Sequence, residues 1–166
     1  MEITAEGLDE AVEAVSDLSD RLRNLAPIMT VVAEDTRVLI DDSFESSAAP
    51  DGSAWAPLSS ATVAIKPRRQ NGKPLVDTGR LRQSITVEAG PRSFRFGTNV
   101  AYAGSHQLGA RTRVFGRKPA AIPARPFLPV VGSGGRFGLM TTGRAGAHWR
   151  AVRDSIREYI LTGRIT

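Results

Sequence analysis

Between Leu81 and Phe96 the apolar residues change their step from four to two. Leu81 and Ile85 lie four apart, which puts both on one face of a short helix. Ile85 and Val87, then Phe94 and Phe96, alternate with polar residues, as half-buried strands do. Ala89-Gly90-Pro91-Arg92-Ser93 between them reads as the hairpin turn. With long helices before it and one after it, the hairpin calls for an α+β fold: long N-terminal helices, a small antiparallel sheet and a C-terminal helix packed on it. Asp77 and Thr78 stand just before the helix, and both are good N-caps, because a short side-chain oxygen can accept from an orphan backbone N–H.

Around this hairpin the periodicity is helical. Leu8, Val12, Val15, Leu18, Leu22 and Leu25 follow steps of three and four, predicting a helix over 5–25 with Glu6, Asp9, Glu10, Glu13, Asp17 and Asp20 on its other face. Three heptads followed by a proline read as an ordinary core face rather than a coiled-coil seam. Pro27 breaks this helix and suits the first turn of the next, predicted over 28–45. Trp149, Val152, Ile156, Tyr159 and Ile160 predict a last helix over 147–161, its polar face carrying Arg150, Arg153 and Arg157. His148 opens this helix as an exposed residue. Strands are expected at 84–90 and 93–98, a short helix within 99–109, and a returning edge strand from Phe127 to Val131. The expected core is Leu81, Ile85, Phe94, Phe96, Tyr102, Phe127 and Leu128. The 166 residues make one domain, 1–166, with flexible loops near 46–60, 66–73, 111–118 and 132–146; the last holds six glycines.

The charge is unevenly placed. Residues 1–50 hold 12 acidic and 3 basic side chains, and residues 51–166 hold 5 acidic and 19 basic, giving nets of −9 and +14. Opposed halves suit complementary contacts between copies of one chain. A basic total also suits a DNA-binding protein using Arg68, Arg69, Arg111, Arg113, Arg117 and Lys118. The basic runs carry no interleaved aromatics for base stacking, so solvated loops are an equal reading. Arg111 to Lys118 reads as an exposed loop or hairpin arm that could reach Glu6, Asp9, Glu13 or Asp17 of a neighbouring copy. Trp55, in a loop, is a plug for the nearby core or an interface anchor. Arg125 offers a fork of donors suited to a carboxylate, either Asp77 or an acid of the next copy. Arg80 and Arg82 flank Leu81 as exposed charges.

Chemistry finds little footing. The chain has no cysteine, which excludes disulfides and thiolate metal sites. It has two histidines, His106 and His148. His106 can be drawn into a triad with Ser84 and Asp77, but no Gly-x-Ser-x-Gly elbow accompanies it. No catalytic residue, cofactor or metal is expected, and no apolar run reaches membrane-spanning length.

Four blocks in order carry a resemblance. They are Asp51-Gly52-Ser53-Ala54-Trp55 to Leu58; Asp77-Thr78-Gly79-Arg80-Leu81 to Ser84-Ile85; Gly97-Thr98 followed by Tyr102-Ala103 and His106-Gln107-Leu108-Gly109; and Ala124-Arg125-Pro126-Phe127-Leu128. Together they resemble the phage virion morphogenesis (tail completion) proteins of Mu-like and siphovirus-type phages, over residues 3–161. The resemblance implies a structural protein of the head–tail neck and not an enzyme. It implies a ring, sixfold in the family, with double-stranded DNA passing through the lumen without sequence-specific binding. Flanking neck or connector proteins and a tail tube or terminator are the implied partners, and no membrane. The protein would be made in the host cytoplasm and reside in the virion. On this reading Asp77, Thr78, Gly79, Leu81, Tyr102, His106, Gln107, Gly109, Pro126 and Phe127 are motif residues of the fold.

Overall fold

The computed structural model describes residues 7–65, 73–114, 118–133 and 136–165. Glu6, Arg68, Arg69 and Arg117 lie outside the described residues. The fold is α+β. Two helices, α1 (Leu8–Arg23) and α2 (Ala26–Ser46), lead into the short α3 (Ser60–Ile65) and α4 (Arg80–Gln83). The hairpin β1 (Ile85–Ala89) and β2 (Phe94–Thr98) follows, then α5 (Ala103–Leu108). Two more hairpins, β3 (Ala110–Val114) with β4 (Lys118–Ile122) and β5 (Val130–Ser133) with β6 (Arg136–Leu139), precede α6 (Gly143–Thr162). Each hairpin is its own two-stranded antiparallel sheet. In the first, Ile85 faces Thr98 and Val87 faces Phe96, so the expected alternation is realised.

α2 is the spine. Pro27 sits in its first turn, where a missing N–H costs nothing. One face buries Ile28, Met29, Val32, Ala33, Leu39, Ile40 and Phe44. Around its C-terminal half, Ile40 and Phe44 pack with Trp55, Leu81, Ile85, Val100 and Phe127. Phe44 stands edge-on to Trp55 at 5.7 Å between ring centres and tilted to Phe127 at 5.6 Å. Around its N-terminal half, Ile28, Met29 and Val32 meet Tyr159, with Phe94, Val152 and Ile156 at the margin.

Several expectations are corrected. α1 buries none of its residues: Leu8, Val12 and Val15 are 61–66% exposed, so its stripe is not a core face of this subunit. Tyr102 is exposed, and Phe94, Phe96 and Leu128 are only half-buried, whereas Leu81, Ile85 and Phe127 are buried. The strand expected from Phe127 begins only at Val130, because Pro126 and Pro129 remove the N–H groups a ladder needs. Within the glycine-rich segment 132–146, Arg136–Leu139 form β6 and Gly143 opens α6, while Gly134 and Gly135 lie outside the described residues. There Gly143 has φ +55°, and a Cβ on it would run into the Asp51 carbonyl. Glycine is what lets the helix start press against the 49–53 turn, where Ala145 N–H donates to the Pro50 carbonyl at 2.8 Å. α4 begins after Gly79 rather than on a side-chain cap, although the Thr78 hydroxyl accepts weakly from Arg80 N–H at 3.4 Å.

Phe127 has no exposed surface and fills the junction of α2, Trp55 and the first hairpin. Phe127→Ala should therefore cost roughly 3 to 5 kcal/mol in reversible denaturation. Val131→Ala, at an exposed site, should change stability by less than about 0.5 kcal/mol.

Candidate functional site

The motif residues converge on a clasp. α5 is held by tertiary contacts, since six residues are too few for a helix to stand alone. It turns Gln107 inward, where the side chain is buried. The Gln107 carbonyl oxygen accepts from Phe127 N–H and Leu128 N–H, both at 3.0 Å. Its amide donates to the carbonyls of Leu128 and Val130, at 3.1 and 3.0 Å. One side chain thus does the hydrogen bonding of a missing strand for a segment whose prolines prevent a ladder. Arg125 N–H donates to the His106 carbonyl at 2.7 Å, tightening the same junction. Gly109 ends α5 at φ +76°, and a Cβ there would stand 3.1 Å from both Ala124 N and the Ile122 carbonyl. That close approach explains glycine at this position.

The first block joins this clasp from the other side. The Trp55 indole N–H donates to the Pro126 carbonyl at 2.7 Å, and its ring is buried. Arg125 is also buried, and its guanidinium donates to the carbonyls of Ala56 and Pro57 at 2.7 and 2.8 Å. Burial lowers its pKa. Trp55 and Arg125 therefore lack the exposed surface that an interface anchor needs: Trp55 is the plug, and Arg125 grips backbone rather than a carboxylate. The Ala54 neighbourhood is tied down as well, by Ala49 N–H to Ser53 O at 2.7 Å and Trp55 N–H to Ser47 O at 2.9 Å.

The second block is anchored by charge. Arg82 is half-buried, not an exposed flank. It donates to Asp41 at 3.0 Å and to Glu45 at 2.9 Å, pinning α4 to the spine. Arg37 donates to the other Asp41 oxygen at 2.9 Å and to the Ile85 carbonyl at 2.7 Å. Burial by itself would raise the Asp41 pKa, but hydrogen bonds from Arg37 and Arg82, and their charges, outweigh it and lower it. Sequence inspection missed this network because Asp41 and Arg82 are far apart in the chain.

Ser84, the nucleophile of the imagined triad, is engaged elsewhere. The Ser84 hydroxyl donates to the Leu81 carbonyl and lies 2.6 Å from the Thr98 hydroxyl. His106 packs edge-on against Tyr102 at 5.8 Å, and its pKa is lowered by burial and then by the Arg125 charge. His148 is half-buried rather than exposed, with Nε2 3.0 Å from the Thr36 hydroxyl. That hydroxyl also donates to the Val32 carbonyl at 2.7 Å, so Nε2–H is the donor to Thr36. Burial lowers the His148 pKa, partly offset by Asp35. Among the described residues no group of three or more His, Asp or Glu side chains is placed to hold a metal, and no helix is long and apolar enough to cross a membrane.

The surface holds the remaining expected residues. Asp9, Glu13 and Asp17 are exposed on α1, and Arg111 is exposed on β3. Arg113 and Lys118 fall in the β3–β4 ladder, so the described ends of the basic segment are paired strands. The sequence did not reveal an apolar groove of about 430 Å³ lined by Phe94, Phe96, Leu139, Trp149, Val152 and Ile156, with Arg153 at its rim. Phe94 stacks on Phe96 at 5.9 Å and reaches Trp149 at 6.3 Å, forming an aromatic floor.

In all four blocks, side chains that grip backbone or one another hold the motif segments together. The sequence model of the phage virion morphogenesis family matches residues 7–160, and the chain belongs to that family. It is 35% identical over 128 residues to Mu-like prophage FluMu G protein 2 of Haemophilus influenzae, an alignment covering 77% of this chain and 83% of that protein. No solved structure matches it.

Two measurements probe this site. Gln107→Leu keeps the bulk but leaves the 127–130 backbone groups without their partners; it should lower stability by at least about 2 kcal/mol in denaturant melts. Both histidines have folded pKa values below their ordinary 6.5, so the unfolded chain binds more protons as pH falls below that value. Stability should be full above about pH 6.5 and decline below it, and His148→Gln should flatten that slope in melts between pH 7.5 and 5.

Proposed function

We propose that this protein is a tail-completion subunit that closes into a ring at the junction of phage head and tail. The reading is carried by the match to the virion morphogenesis family over residues 7–160, whose motif positions here serve internal backbone bonds. The name of that relative, a Mu-like prophage protein, agrees with a virion component. A closed ring needs a heterologous interface, one patch against a different patch of the next copy. Acidic residues 1–50 and basic residues 51–166 supply surfaces of opposite sign for it. The ring is sixfold, passes double-stranded DNA through its lumen without reading sequence, and meets a neck or connector protein on one side and a tail tube or terminator on the other. The subunit is made in the host cytoplasm and stays in the virion. It performs no catalysis.

The net charge of +14 over residues 51–166 favours one other reading, a DNA-binding accessory protein of morphogenesis acting through the basic arm. Deleting the gene from a phage that encodes it should leave DNA-filled heads and separate tails, visible by electron microscopy, and labelled protein should restore joined particles with label at the neck. Joined particles without the protein would refute the neck reading. Tight, steeply salt-dependent binding to duplex DNA, lost on Arg111→Glu with Arg113→Glu, would put the accessory reading in its place.

A further inference from the structure

α1 and the apolar groove are two incomplete surfaces on one chain. From Gly7 to Asp17 every residue of the arm is exposed, the apolar ones included. A helix of 16 residues is marginal in water, so this one needs a partner along its apolar stripe. Leu8, Val12 and Val15 occupy positions i, i+4 and i+7, the anchors of a helix laid in a groove. They span ~10 Å along the axis at 1.5 Å per residue. On α6, Trp149, Val152 and Ile156 span the same seven-residue interval along the groove wall. Trp149 Nε1 is buried there without a hydrogen-bond partner among the described residues.

The arm cannot readily fill its own groove. Its base is pinned at the far end of α6: Arg21 Nε donates to the Ile160 carbonyl at 3.0 Å, and the Tyr159 hydroxyl donates to the Asn24 carbonyl at 3.2 Å. Leu25 N–H is held by the Pro91 carbonyl at 3.1 Å. Pairing of two arms is opposed by charge. Residues 8–17 carry Asp9, Glu10, Glu13 and Asp17 and no base, so two of them would bring eight carboxylates together. The groove side has a net opposite sign: residues 149–157 of α6 carry Arg150, Arg153 and Arg157 against one acid, Asp154, which pairs with Arg153 at 3.1 Å.

We infer that α1 of one copy docks its Leu8–Val12–Val15 stripe into the Phe94–Phe96–Trp149–Val152–Ile156 groove of the next copy. Arg153 at the groove, with Arg150 and Arg157 on the same helix, meets the acids of the incoming helix. The contact is heterologous, arm to groove, so it repeats from copy to copy and leaves a free arm and a free groove until the chain closes. It deepens the ring reading and rests on it for its biological setting.

The lack of cysteine permits a direct test on the full chain. Val12→Cys and Leu139→Cys both alter exposed positions, one on the arm and one at the groove, so the fold is retained. Equal amounts of the two proteins, one isotopically labelled, are treated with a short bismaleimide. The inference expects mixed-label dimers at least tenfold above either protein alone, and a ladder of oligomers from the double mutant. Glu13→Arg should weaken the cross-link several-fold, and Arg153→Glu added to the groove partner should restore it. Leu8→Ser with Val12→Ser and Val15→Ser should abolish self-association in sizing while leaving the melting midpoint unchanged. Cross-links confined within one chain, dominant Val12→Cys homodimers, or no cross-link would each overturn the inference. Rings that survive the triple serine variant would leave the neck reading standing and remove this interface. An arm-to-groove cross-link in a protein whose deletion leaves heads and tails joined would do the reverse.

Discussion

Among the described residues each strand pairs only with its hairpin partner, and an isolated two-stranded hairpin is marginal in water. What holds the first hairpin, Ile85–Ala89 with Phe94–Thr98, is one helix. α2 offers Ile28, Met29 and Val32 to one cluster, Ile40 and Phe44 to another, and Leu39 to a third with Met140 and Ala145. Its polar face contributes too, since Arg37, Asp41 and Glu45 receive α4 and the start of β1. Removing apolar bulk from α2 would release sheet, clasp and terminal helix together.

The clasp shows why a family motif need not mark chemistry. Histidine, glutamine and arginine close together invite a catalytic reading. Here Gln107 takes four backbone partners, and Arg125 donates to two carbonyls. The cause is local: Pro123, Pro126 and Pro129 deny their segment a regular ladder, and buried backbone polar groups must be satisfied somewhere. A glutamine amide, with donor and acceptor in one plane, substitutes for the strand.

Against that closed interior, the arm and groove are open. The clasp-side core is completed within the chain, whereas the α1 stripe and the Phe94–Trp149 floor are left half-finished. Contiguous exposed apolar surface of this kind marks a place of interaction rather than a finished exterior. In the inferred contact charge adds direction, since the acidic arm suits a segment with three arginines and one aspartate better than it suits another arm.

Periodicity and turn chemistry in the sequence determined the helices at α1, α2 and α6, the hairpin Ile85–Ala89 with Phe94–Thr98, and the α+β class. These follow from neighbours a few residues apart, where spacing alone decides which side chains share a face. The burial of Leu81, Ile85 and Phe127 was legible too, as was the plug reading of Trp55. Tertiary structure decided everything that pairs distant residues: Asp41 with Arg82, His148 with Thr36, Gln107 with the backbone from Phe127 to Val130. It also decided that α1, with as regular a stripe as α2, stays outside the core. An amphipathic pattern states that one face requires cover but not which chain supplies it, because the hydrophobic effect depends on area removed from water and not on whose atoms remove it.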